Sequence, residues 1–133
     1  MSIQNSSIAS AYLVKGVIGD TTKMGAPIVQ FALVVTPANQ EVSGGVMIAN
    51  GTLGGTYSGK VTGALHAAGL GEYTQVVALT GNIYPDGPMP IVLPFQAHMA
   101  VDARWNGIGG FHYPGVHVDD APVRDLASAA ITR

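Results

Sequence analysis

The sequence predicts an all-β fold, a single compact domain over residues 1–133 with about seven mainly antiparallel strands in a β-barrel or β-sandwich and a short C-terminal helix. Three observations carry that expectation. Residues 91–102 alternate: Ile91, Leu93, Phe95, Ala97, Met99 and Val101 are apolar, while Gln96, His98 and Asp102 stand among the even positions. A period of two is the signature of a strand with one face in a core. Eighteen glycines and eight prolines fall between apolar runs, so turns are frequent. Hydrophobic residues make up 47% against 11% charged, a balance that favours a packed core over disorder.

Taken in order, residues 8–18 form the first candidate strand, with Ile8, Tyr12, Val14 and Ile18 on one parity and Leu13 and Val17 interrupting it. A connection over 19–27 leads to a strand at 28–36. There Val29, Phe31, Leu33 and Val35 share one face, and Gln30, Ala32 and Val34 the other. Both faces are largely apolar, which predicts a central strand covered on both sides. After a turn at 36–40, residues 42–49 form a glycine-weakened strand, and Asn50-Gly51 is a hairpin signal. Residues 56–67 return to alternation, with Tyr57, Val61 and Leu65 facing inward and Ser58, Lys60, Thr62 and His66 outward or into a polar cavity. Gly59 and Gly63 lie between the large inward residues, as where a sheet bends or another chain approaches closely.

Residues 73–84 follow, with Val77, Leu79 and Ile83 opposite Thr74, Thr80 and Asn82. Pro94 has no N–H for a ladder, so an edge, a bulge or a late strand start is expected beside it. Trp105, Phe111 and Tyr113 share a parity in a further strand loosened by Gly107, Gly109 and Gly110. The ending changes character. Asp119 or Asp120 suits a helix cap and Pro122 its first turn, and Val123, Leu126, Ala127, Ala130 and Ile131 recur at helical spacing. The expectation is a helix over 119–132.

Charge and motifs narrow the function. Six basic against eight acidic residues leave a net charge of -2 and no basic patch, which excludes an electrostatically driven nucleic-acid binder. No apolar run reaches the length of a membrane helix. The opening MSIQNSSIAS lacks a conventional secretory signal, so the default location is cytoplasmic, with signal-less export left open. Without cysteine there is no disulfide and no thiol-based metal or nucleophilic site, and no cofactor is expected. Ser58 lies in no nucleophile elbow, and Gly59-Lys60 is followed by Val61, so no phosphate loop is present.

The leading reading is a noncatalytic binding or interaction module for a glycan or other small polar ligand. Asn82, Gln96, Asp102, Trp105 and Asn106 are its candidate residues, because an aromatic ring orients a sugar while amides and carboxylates fix its hydroxyls. The second reading is a small cavity enzyme in which His66 or His98 acts as a base beside Lys60, Asp102 or Arg104. It requires those groups to converge. The third is a homo-oligomeric assembly domain, since so few charges leave apolar surface to be covered by a partner. For a metal, His112, His117 and Asp119, with Asp120 beside them, supply imidazole and carboxylate donors, although the spacing matches no established pattern.

The succession of glycine-punctuated strands, including Gly54-Gly55-Thr56-Tyr57-Ser58-Gly59-Lys60-Val61-Thr62-Gly63, and the ending from Trp105 resemble a small, functionally uncharacterised bacterial all-β family. That resemblance implies a bacterial source and a compact β domain over most of the chain. It carries no activity.

Overall fold

A computed structural model of the chain describes residues 11–23, 25–49, 56–88 and 90–126. Eight strands follow one another: β1 (Tyr12–Ile18), β2 (Ile28–Thr36), β3 (Glu41–Ala49), β4 (Tyr57–Leu70), β5 (Tyr73–Pro85), β6 (Leu93–Val101), β7 (Gly107–Tyr113) and β8 (Val116–Asp125). Each pairs antiparallel with the next, and β8 pairs back to β1, so the sheet closes as an up-and-down barrel. Of barrel and sandwich, the barrel forms, with eight strands instead of about seven. Closure leaves no unpaired strand edge.

The alternation explains why these segments are strands. Val29, Phe31, Leu33 and Val35 point inward from β2, and Phe95, Ala97, Met99 and Val101 from β6, all buried. Pro94 marks a late strand start: β6 begins at Leu93, and Ile91 is left exposed before it. At eight strands a barrel's interior is just wide enough to be filled by side chains, and here glycines make the room. Gly59 lies between Val46 and Ile83, Gly63 between Val42 and Leu79, and Gly81 between Val61 and Phe95 in the cross-strand register. Small opposite large lets a tightly curved wall close over its own core.

The C-terminal helix is corrected. Residues 119–125 are not helical; they belong to β8. The register of β7 against β8 slips between Gly109 and Phe111, so Asp119 and Asp120 together oppose Gly110. This is a β-bulge, with Asp120 in the left-handed region at φ 53. The extra residue turns an inward step of two into a step of three, from Val118 to Ala121, and the Asp119-Asp120 pair that suits a helix cap is the bulge itself. Among the described residues the one helical element is a 3-10 turn at Pro37–Asn39; the backbone turns helical at Leu126 alone, and positions 127–132 of the expected helix lie outside the described residues. Only one face of β2 meets the core, because a barrel wall has a single inner side, and among the described residues no element of the chain covers its outer face. Gln30 and Ala32 are exposed, and Val34 is 45% exposed. The Asn50-Gly51 hairpin signal lies outside the described residues.

Among the described residues no helix is long and apolar enough to cross a membrane.

Candidate functional site

The barrel interior is a packed core. At one end Tyr57, Phe95, Phe111 and Tyr113 form an aromatic cluster with ring centroids 5.8 Å to 6.5 Å apart. The Tyr113 hydroxyl is buried there without a hydrogen-bond partner among the described residues. Burial first, and then the neighbouring Tyr57, push its phenol above the ordinary tyrosine range. At the other end Trp105 is 3% exposed, stands 6.2 Å from Phe31, and donates its indole N–H to the Tyr12 hydroxyl at 3.2 Å. No charged side chain is buried among the described residues. Polar chemistry therefore sits on the outer wall.

Three of the five candidate ligand residues belong to the β6–β7 connection instead. The Asp102 carboxylate Oδ1 accepts the backbone N–H groups of Arg104 at 2.8 Å and Asn106 at 3.1 Å. The Trp105 N–H closes a turn on the Asp102 carbonyl at 3.0 Å, and Trp105 itself takes φ 64. A tight turn followed by a left-handed residue is a common three-residue hairpin connection. Asn106 Oδ1 then accepts the Asp125 N–H at 3.0 Å and ties the connection to β8. Asp102 Oδ1, the Trp105 indole N–H and Asn106 Oδ1 are thus each engaged in holding the fold. The Arg104 side chain is exposed on the same turn.

The other two candidates, Asn82 and Gln96, face outward on β5 and β6. Register makes Asn82 the direct partner of Lys60 on β4, a residue expected for different chemistry. On either side stand Ser58 opposite Tyr84 and Thr62 opposite Thr80, giving a grid of two strands by three outward positions. Ser58, Lys60, Thr62, Thr80, Asn82 and Tyr84 line one shallow depression and all are exposed. Gly59 and Gly81 lie between them along the strands, which draws the two strands close beneath the grid. Gln96 continues the row beyond Thr80. Tyr84, 49% exposed, was not among the sequence candidates. Its signal was present, since it shares the parity of Thr80 and Asn82.

His66 and His98 are both exposed on the outer wall, but β5 separates them: His66 pairs with Val76, whereas His98 pairs with Ala78. Neither imidazole has a hydrogen-bond partner among the described residues, and Lys60 stands beside Asn82 in a different row. The convergence that the cavity enzyme requires does not appear in this register. His112 and His117, in contrast, are direct cross-strand partners on the β7–β8 hairpin, with ring centroids 5.5 Å apart. His117 Nε2 lies 3.2 Å from Asp119 Oδ1, with both side chains well exposed. Asp120, displaced by the bulge, makes no such contact among the described residues.

No curated protein matches the chain. A family described as "Domain of unknown function (DUF1842)" matches residues 9–116, a stretch that includes β1 to β7 and ends at the first residue of β8. The chain belongs to this uncharacterised all-β family, DUF1842.

Proposed function

We propose that this barrel is a noncatalytic binding module that takes a glycan or similar small polar ligand on the outer face of β4 and β5. The observation that carries the reading is the grid of Ser58, Lys60, Thr62, Thr80, Asn82 and Tyr84 in one exposed depression. Strands about 4.8 Å apart with same-face residues roughly 6.7 Å apart space its polar groups at the scale of a sugar ring. The Tyr84 ring offers an apolar face to axial C–H groups, and the Asn82 amide can both donate to and accept from neighbouring hydroxyls. Lys60 and the hydroxyls of Ser58, Thr62, Thr80 and Tyr84 add donors without a carboxylate in the depression. Because the interior is filled, a ligand has to meet the wall.

An open site of this kind binds weakly, at dissociation constants of about 0.1 to 1 mM, or roughly 4 to 5.5 kcal/mol. The test is a screen against neutral hexose and pentose oligosaccharides followed by titration calorimetry. Tyr84→Ala and Asn82→Ala are each expected to weaken binding at least about tenfold, which is ~1.4 kcal/mol. Both residues are exposed, so thermal stability should hardly move. Saturable binding indifferent to both substitutions, or no saturable glycan at all, contradicts the reading.

A second reading, self-assembly, is favoured by one observation. Leu13 and Val34 are direct cross-strand partners on the outer wall, 61% and 45% exposed. Contiguous exposed apolar side chains mark contact surfaces more often than scattered ones do. If that pair joins two chains, light scattering should give a multiple of the 13.6 kDa mass, and Leu13→Asp should return it to the monomer value without unfolding. A monomer at high protein concentration removes this reading.

A further inference from the structure

We propose that the β7–β8 hairpin chelates one divalent transition-metal ion between His112 and His117, with Asp119 as the residue that positions the second imidazole. The site is independent of the β4–β5 depression. It begins with the turn. Tyr113 and Val116 pair directly across Pro114-Gly115, so His112 and His117 are the next pair along. Proline fixes φ at the first corner, and Gly115 at φ 85 supplies the left-handed second corner. A two-residue connection leaves little slack. It holds the imidazoles side by side, with centroids 5.5 Å apart and planes at 51°. Two imidazoles that bind one ion through nitrogens at 2.0–2.1 Å place their ring centres about 5 Å apart, so small side-chain rotations suffice.

Asp119 supplies the second observation. Its Oδ1 meets His117 Nε2 at 3.2 Å. A carboxylate that accepts one imidazole N–H fixes the ring orientation and tautomer and leaves the other nitrogen, here Nδ1, as the basic one. The same pairing is the usual outer support of a metal-ligating histidine. The hollow in front of the pair is lined by Pro94, Gln96, His112, Pro114, Gly115 and His117, with no lysine or arginine to repel a cation. Gln96, the cross-strand neighbour of His112, can hold a metal-bound water. Among the described residues no three histidine or carboxylate side chains already stand as a cage. The site is therefore a two-imidazole chelate with its remaining positions open to water. Imidazole donors select zinc, copper and nickel over magnesium and calcium.

The chain carries its own control, since His66 and His98 are also exposed but have no hydrogen-bond or ring partner among the described residues. Untagged full-length protein is titrated with Zn²⁺ by calorimetry, and the imidazole resonances are followed by NMR. The expected result is one ion per chain, with His112 and His117 signals shifting together. His112→Ala and His117→Ala should each weaken binding at least about 30-fold, and Asp119→Asn roughly tenfold. The double variant His66→Ala/His98→Ala should bind as the parent does. The NMR readout needs no substitution and stands even if a variant folds poorly. Binding unchanged in both hairpin variants, equal loss in the double control, or one ion shared between two chains would each overturn the proposal.

Discussion

Gly63 on β4 lies so close to Ala78 on β5 that a methyl group on Gly63 would overlap the Ala78 carbonyl oxygen. The clash is with backbone, so no side-chain rotation relieves it. Gly63→Ala is expected to destabilise the barrel by about 3 kcal/mol, since overpacking against a fixed wall has no room to relax. Gly69 on the same strand meets nothing within 4 Å, and Gly69→Ala should leave stability within about 0.5 kcal/mol. Urea unfolding of the pair checks the contrast. Equal costs would mean that the close approach is not what closes the wall.

Tyr113 carries a buried hydroxyl without a partner among the described residues. Removing an unsatisfied buried group while keeping the ring should help, so Tyr113→Phe is expected to stabilise the protein by about 1 kcal/mol. The sign of the pH effect follows from the raised phenol. Its neutral form is favoured in the folded chain, so its contribution is fully present below the ordinary tyrosine range. It is lost as pH climbs through the raised folded value. Alkaline melts should therefore show a limb that Tyr113→Phe flattens, and an unchanged limb would contradict this.

Asp102 accepts two backbone N–H groups within its own turn, which separates a folding role from a ligand role. Asp102→Ala should lower stability by about 0.5 to 1.5 kcal/mol through the loss of those two bonds, one exposed and one part-buried. Glycan affinity at the β4–β5 depression should stay within twofold. Melting curves and calorimetry on the same variant read both quantities, and lost affinity at full stability would return Asp102 to the binding site.

Among the described residues the closing seam is the short one: β1 and β8 share three registered pairs, Gly16 with Asp125, Val17 with Arg124 and Ile18 with Val123, whereas β1 and β2 share seven. Local opening starts where few contacts must be broken. Amides at the β1–β8 seam should exchange with deuterium faster than those of β4 and β5. Uniform protection around the barrel would show that the seam is no weaker than the rest of the wall.

Much of this architecture was legible from alternation alone. The strand at residues 28–36 was read with its observed bounds, and Phe95, Met99 and Val101 face the core as their parity requires. The ending was misread for a definite reason. Asp119 and Asp120 suit a helix cap by residue type, but they form a bulge opposite Gly110, which only the partner strand reveals, and Pro122 sits within β8. The apolar positions 127, 130 and 131 of the expected helix lie outside the described residues. The site was half legible. Asn82 and Lys60 were each singled out, but their pairing is a matter of register between strands, which the sequence does not state. The placement of Trp105, in contrast, is not legible from alternation: it sits buried beside Phe31 from a turn residue at φ 64.

The most direct test of recognition on the outer wall is an amide NMR titration of the full chain with the neutral oligosaccharide that binds best in the screen. The expected shifts gather at Ser58, Lys60, Thr62, Thr80, Asn82 and Tyr84 and extend to Gln96. Shifts gathered instead at the Trp105 turn or around Phe95 and Tyr113 would contradict it, because the ligand would then be entering or capping the barrel.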